Sequence, residues 1–319
     1  MSFQDIKGQD KAIQILKEHL KNSRLAKSYL FTGPEGVGKR LVAKQLSKAV
    51  NCQEADLEPC DTCVSCLKIE KGGHPDIHLI DNGRDEIKIE DIRILQAGIK
   101  LRPYEGKHKV FIINNAHNLN VASANAFLKT LEESPGESLI ILVTDKPALL
   151  PKTIISRCQV IKFCSLQRPE LEEILKKDYS LQNNLAHFLA YFCEGRIGRA
   201  LNLKDADILE AKNSVIDEFA LAERLDLENL FPRDRDEMRD SLNILAGWFR
   251  DMYLIKAGLP HSEMINLDRK AELLLQMQHF SFLELDGILK FISNALLYLE
   301  QNINVKLLQS NLKAELWKQ

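Results

Sequence analysis

The chain has 319 residues, 45% hydrophobic and 28% charged, with a formal net charge of −2, the make-up of an ordinary soluble globular protein of two or three domains. That balance gives no global attraction to nucleic acid. No run reaches the ~18 apolar residues of a membrane span, and the first residues lack the basic and apolar regions of a secretory signal, so a cytoplasmic location is expected.

Residues 9 to 22 carry Ala12, Ile13, Ile15, Leu16 and Leu20 at helical spacing. Ser28-Tyr29-Leu30-Phe31 then reads as a short buried strand. Gly33-Pro34-Glu35-Gly36-Val37-Gly38-Lys39-Arg40 follows, and a helix begins at Leu41. Strand, glycine-rich turn and helix is the layout of a phosphate-binding loop, in which backbone N–H groups and a helix N-terminus face a phosphate. Gly33, Gly36, Gly38 and Lys39 are the candidate nucleotide-binding residues. The eighth position should be a Ser or Thr hydroxyl for Mg²⁺, and here it is Arg40. The loop is degenerate, so weak or no nucleotide binding is expected, and no Mg²⁺.

Beyond the helix come Cys52, Cys60, Cys63 and Cys66. Four thiolates at this spacing can close the tetrahedral shell of one structural Zn²⁺. The other three cysteines, Cys158, Cys164 and Cys193, lie among apolar residues and read as small buried hydrophobes. Asp76 to Ile80 reads as a strand and Ile89 onward as an amphipathic helix, broken at Arg102-Pro103-Tyr104.

Lys109 to Ile113 is a strong buried-strand signal. In a P-loop NTPase such a strand ends in an Asp for Mg²⁺, often followed by a Glu that activates water. Asn114 and Asn115 stand there instead, and an amide is neither an anionic ligand nor a good base. A helix over 122–133 and strands over 139–143 and 160–163 complete an alternation that predicts a parallel α/β sheet across 28–164. Past Arg168-Pro169 the pattern is helical throughout, with breaks at Phe231-Pro232 and Gly258-Leu259-Pro260.

Together these features resemble the bacterial clamp-loader subunits of DNA polymerase III, members of the AAA+ superfamily. The resemblance rests on Gly33 to Lys39, the four cysteines, Leu101 to Gly106, Asn125 to Glu133 and Ser156-Arg157-Cys158. It covers about residues 5 to 205 well and the C-terminal helices more weakly, where Asn302 to Leu308 looks like part of a collar. The implied architecture is a P-loop AAA+ α/β domain at 1–166 with a zinc module at 52–66, a helical lid at 167–207 and an all-α collar at 208–319 that drives hetero-oligomerisation.

In that family Ser-Arg-Cys carries an arginine finger, so Arg157 is expected to enter a neighbouring subunit's ATP site in trans. Gly198 falls where motor subunits carry an arginine that senses the γ-phosphate. With Arg40, Asn114 and Asn115, that makes four departures on one reaction. The implied function is a non-hydrolysing subunit that helps load the sliding clamp onto primed DNA, alongside gamma/tau-like motors and a delta-like wrench. The alternative is an ATP-hydrolysing motor subunit or another AAA+ remodelling ATPase. A zinc-containing nucleic-acid module acting alone is disfavoured by the near-neutral charge and the lack of a basic-aromatic stripe.

Overall fold

A computed structural model describes residues 2–55, 57–83, 85–204, 208–220, 234–260 and 263–300. The chain divides into two compact units, one of Met1–Leu166 with Arg196–Arg199 and one of Gln167–Gly195 with Ala200–Gln319.

In the first unit, strands β1 (Ser28–Thr32), β2 (Ile77–Ile80), β3 (Lys109–Ile113), β4 (Ser138–Thr144) and β5 (Gln159–Lys162) form one sheet in the order β2-β3-β4-β1-β5. Every pairing is parallel; Leu30 sits opposite both Leu142 and Val160. Helices α1 (Asp10–Lys21), α2 (Lys39–Asn51), α3 (Val64–Glu70), α4 (Ile89–Ile99), α5 (Val121–Glu133) and α6 (Lys152–Ile155) accompany it. All five predicted strands are present.

The strands β1, β3 and β4 are buried along their whole length. They read as continuous apolar runs because helices cover both faces of a parallel sheet. On one face Tyr29, Phe31, Ile112 and Ile141 pack with Leu16 of α1 and Val42 and Leu46 of α2. On the other Leu30, Phe111, Ile113 and Leu142 pack with Ile92 and Leu95 of α4 and Phe127 and Leu131 of α5.

The edge strand β5 alternates instead: Ile161 is buried, while Gln159 and Lys162 are exposed. The same period continues beyond it, with Phe163 buried and Cys164 exposed. The expectation of a buried Cys164 is therefore corrected; apolar neighbours signal burial poorly where side chains alternate. Cys158 is half-buried, and Cys193 is buried as expected.

The second unit is helical, with Arg168–Lys177, Asn183–Phe192, Ile208–Ala220, Arg235–Lys256, Lys270–Gln276 and Phe282–Glu300. The long helix Arg235–Lys256 starts where the Asp234 carboxylate accepts from the N–H groups of Asp236 and Glu237. It buries Trp248, whose indole N–H donates to Gln276 at 2.8 Å. On Phe282–Glu300 the stripe Leu285, Ile288 and Ile292 is core, with Leu289 half-buried. Among the described residues no helix is long and apolar enough to cross a membrane. The expected break at Phe231-Pro232, the boundary at 207 and the collar motif Asn302–Leu308 lie outside the described residues.

Candidate functional site

The carboxyl ends of the parallel strands gather the candidate residues, as in other open α/β sheets. After β1 the chain turns through Gly33, Gly36 and Gly38 with φ of 144°, 79° and 95°, values that side chains rarely adopt. A Cβ at Gly33 would lie 2.3 Å from the Phe163 carbonyl oxygen, so packing as well as φ requires glycine there. Lys39 opens α2 and is almost buried. Its ammonium donates to the carbonyls of Gly33 (2.5 Å) and Pro34 (2.6 Å). Burial pushes its pKa down to about 8, against the pull of the Asp145 and Glu35 carboxylates.

The next residue decides the chemistry. The Arg40 guanidinium donates to Asp81 Oδ2 at 2.8 Å, and the Asn114 amide donates to Asp81 Oδ1 at 3.1 Å. Arg40 stands in the position of the metal-binding hydroxyl and Asn114 in that of the metal-binding carboxylate. Both are tied to one acid just past β2, so a fixed cation pairs with the carboxylate there. Asn115, in the left-handed region at φ 49°, donates to the Gly83 carbonyl at 2.8 Å. A primary amide engaged in this way supplies no base for water.

Gly198, within the segment of the first unit that returns at Arg196–Arg199, donates its N–H to the Gly36 carbonyl at 2.7 Å. A Cβ at Gly198 would sit 2.7 Å from that same oxygen. The packing that brings this backbone onto the phosphate loop has no room for an arginine side chain. Nearby, His117 Nδ1 lies 3.0 Å from Thr144 Oγ1 and 3.3 Å from Asp145 Oδ1. Burial lowers the His117 pKa, and Asp145 opposes the shift.

Arg157 follows α6. Its Nε and Nη2 both reach Glu132 Oε1, at 2.7 and 2.5 Å, and Nη1 donates to the Thr153 carbonyl at 2.9 Å. Its side chain keeps 36% of its surface exposed.

At the far end of α2, Cys52, Cys60, Cys63 and Cys66 place their sulfurs within 4.8 Å of one another. Tetrahedral Zn–S bonds of about 2.3 Å put sulfurs roughly 3.8 Å apart, so the donor set fits one zinc ion. The Cys63 and Cys66 N–H groups donate to the sulfurs of Cys60 and Cys63 at 3.3 and 3.4 Å. Asp61 takes φ 58° in the turn. The Thr62 hydroxyl and the Cys63 N–H hold the Cys60 thiol down to about 6, favouring thiolate, while burial pushes Cys66 up. Bound zinc would tie the end of α2, the turn that follows and the start of α3 together as a structural crosslink. Lys48 of α2, fully buried, pairs with Asp61 at 2.7 Å and with Glu70 of α3, fastening the knuckle to the helix. His74 is outside the sulfur cluster; its Nδ1 accepts from the Asp76 N–H at 3.2 Å.

Asp81, Asp145 and His117 at the loop, and Glu132 beside Arg157, carry no motif that marks them in the sequence. Asp81 and Asp145 directly follow β2 and β4, and His117 follows β3 by four residues. Position after a parallel strand was the available signal.

A glycine turn from an inner strand of a parallel sheet into a helix, ringed by residues from the ends of β2, β3 and β4, defines a P-loop α/β protein. Residues 8–167 match the family described as DNA polymerase III, delta subunit. DNA polymerase III subunit delta' of Bacillus subtilis (strain 168) is 34% identical over 210 residues, covering 65% of this chain and 63% of that one. DNA polymerase III subunit tau of Escherichia coli (strain K12) is 36% identical over 220 residues, covering 67% of this chain and 34% of that one. The chain thus spans about a third to under two thirds of these relatives' own lengths. The solved structure of a DNA polymerase III gamma subunit-related protein from Thermotoga maritima superposes with a TM-score of 0.52 at 18% identity, covering 95% of this chain and 97% of that one, a likeness of fold. The chain belongs to the DNA polymerase III, delta subunit family, within the AAA+ clamp-loader class that its sequence resembles.

Proposed function

We propose that this chain is the non-hydrolysing, delta-prime type of clamp-loader subunit. It neither polymerises DNA nor hydrolyses ATP, and works inside a hetero-oligomer with gamma/tau-like motors and a delta-like wrench. Through that complex it acts on the sliding clamp and primed DNA. Residues 167–207 serve as the lid and 208–319 as the collar that drives assembly. Cys52, Cys60, Cys63 and Cys66 hold a structural Zn²⁺, and Gly33, Gly36, Gly38 and Lys39 form a loop with weak or no nucleotide affinity.

The observation that carries the reading is the pairing of Arg40 and Asn114 with Asp81. Phosphoryl transfer needs a metal to neutralise charge growing on the γ-phosphate and leaving group. A guanidinium cannot ligate Mg²⁺, an amide supplies no anionic ligand for it, and Asp81 is already their shared acceptor. The close approach of Gly198 to Gly36 supports the same reading, since it leaves no side chain to sense a γ-phosphate.

Arg157 then has its use in trans, on the ATP of an adjacent motor subunit. A guanidinium inserted there is worth on the order of 10³-fold in rate at that site. The test is a reconstituted complex in which only this subunit carries Arg157→Ala. ATP turnover and clamp loading should fall while assembly and zinc content hold, with Arg157→Lys rescuing only partly. Wild-type turnover with Arg157→Ala would exclude the finger. Turnover by the isolated chain that vanishes on Lys39→Ala would restore the motor reading.

A further inference from the structure

Arg157 is not a loose surface arginine. Glu132 occupies its Nε–Nη2 edge through one oxygen, and the Thr153 carbonyl takes one proton of Nη1. Three of the five guanidinium N–H donors are engaged in this way. One N–H remains on each terminal nitrogen, and a phosphate can accept from such terminal N–H groups. Both ends of the arrangement are anchored in one core. Glu132 follows buried Leu131 in the last turn of α5, and Arg157 follows fully buried Ile154 of α6. The adjacent Glu133 is committed elsewhere, to Lys129 at 3.9 Å.

The pair has little to do for stability. The side chains of Arg157 and Glu132 are 36% and 51% exposed, and ion pairs so open to water stabilise a fold weakly. What the contact does is remove rotamer freedom from a long side chain before any partner arrives. Resting on the finger reading of Arg157, we infer that Glu132 is a positioning residue. It holds the guanidinium in the one orientation that offers its two remaining terminal N–H groups to the phosphates of a neighbouring subunit's nucleotide.

The test uses the full reconstituted complex with ATP, comparing Glu132→Ala, Glu132→Gln, Arg157→Ala and the double variant, all in this subunit alone. Loss of orientation should lower kcat about tenfold with KM for ATP unchanged. Gln, whose carbonyl still accepts, should recover part of the rate. Adding Glu132→Ala to Arg157→Ala should change nothing further, because Glu132 acts only through the arginine. A merely structural role would move the thermal midpoint and would not vanish in the Arg157→Ala background. Should Ala loosen the end of α5, the Gln variant and the double variant carry the comparison. If Arg157→Ala is slow while both Glu132 variants run at or above the wild-type rate, the positioning role is overturned and the finger stands. A double variant slower than Arg157→Ala alone also overturns it. Wild-type rates with Arg157→Ala would remove the finger, and this inference with it.

Discussion

The phosphate loop and the cysteine knuckle sit at opposite ends of the same helix: Lys39 begins α2, and Cys52 follows its last residue. At the first end the backbone of a binding site is intact and the side chains have changed. The glycines have positive φ and Lys39 opens the helix, but Arg40, Asn114 and Asn115, at positions where a P-loop ATPase carries metal-binding and basic groups, make internal contacts instead. At the second end the donor set is complete and converging, with Cys52, Cys63 and Cys66 buried and Cys60 half-buried. Packing preserves backbone whatever the site does, so a loop's shape is weak evidence of its activity. Side-chain chemistry decides, and it points in different directions at the two ends.

The sharpest way to break this contrast is at the knuckle. Metal analysis should give one zinc per chain, and Cys66→Ala should give none. Structural zinc is worth on the order of 10 kcal/mol in small modules that depend on it. Within this larger domain the loss should appear as fast hydrogen exchange over 52–66 with protection of β1 retained. Protein prepared without chelators that carries no zinc would remove one side of the comparison.

At the loop the largest effect should come from backbone rather than chemistry. Gly33→Ala combines φ 144° with a Cβ 2.3 Å from the Phe163 carbonyl, and should lower stability by about 3 kcal/mol in denaturant titration. An unchanged midpoint would mean that the loop geometry is soft and has no packing role.

Lys39 tests the reverse sign. Its folded pKa of about 8 lies below its ordinary value of 10.5, so the folded state resists the proton. The resulting penalty is full below pH 8 and is relieved as pH rises toward 10.5, where the unfolded chain also loses its proton. Lys39→Met should therefore be more stable than wild type by about 1 kcal/mol at pH 7, after allowance for the two carbonyls left without their donor. That gap should close between pH 8 and 10.5. A gap that widens over the same interval would contradict the burial argument. The smallest effect belongs to Arg40→Ala. Its pair with Asp81 is exposed, so stability should change by less than about 1 kcal/mol, and a larger loss in a thermal melt would mark Arg40 as structural.

Much of this was legible beforehand. Continuous apolar runs gave the inner strands β1, β3 and β4 because both sheet faces are covered there, and four cysteines at close spacing gave the knuckle. What stayed hidden were the partners. That Arg40 stands where a P-loop would carry a hydroxyl could be read from one position, but the acid that holds it lies 41 residues further on, across the sheet. Gly198 could be noted as the loss of an arginine; that a side chain cannot fit follows only from its approach to Gly36, 162 residues away in the chain. Cys164 was misjudged because an edge strand alternates where inner strands do not. Pairing across a fold depends on register and topology, which local sequence does not encode.

The return of Arg196–Arg199 to the first unit has a practical side for anyone cutting the chain. The polypeptide leaves that unit at Leu166, comes back for four residues, and leaves again. A fragment ending at Leu166 would carry every strand of the sheet yet lack the N–H that caps the Gly36 carbonyl. One ending at Lys204 would keep it. The natural seam is thus not the one the strand pattern suggests, and a cut near residue 167 would part Gly36 from the chain that supplies its Gly198 partner.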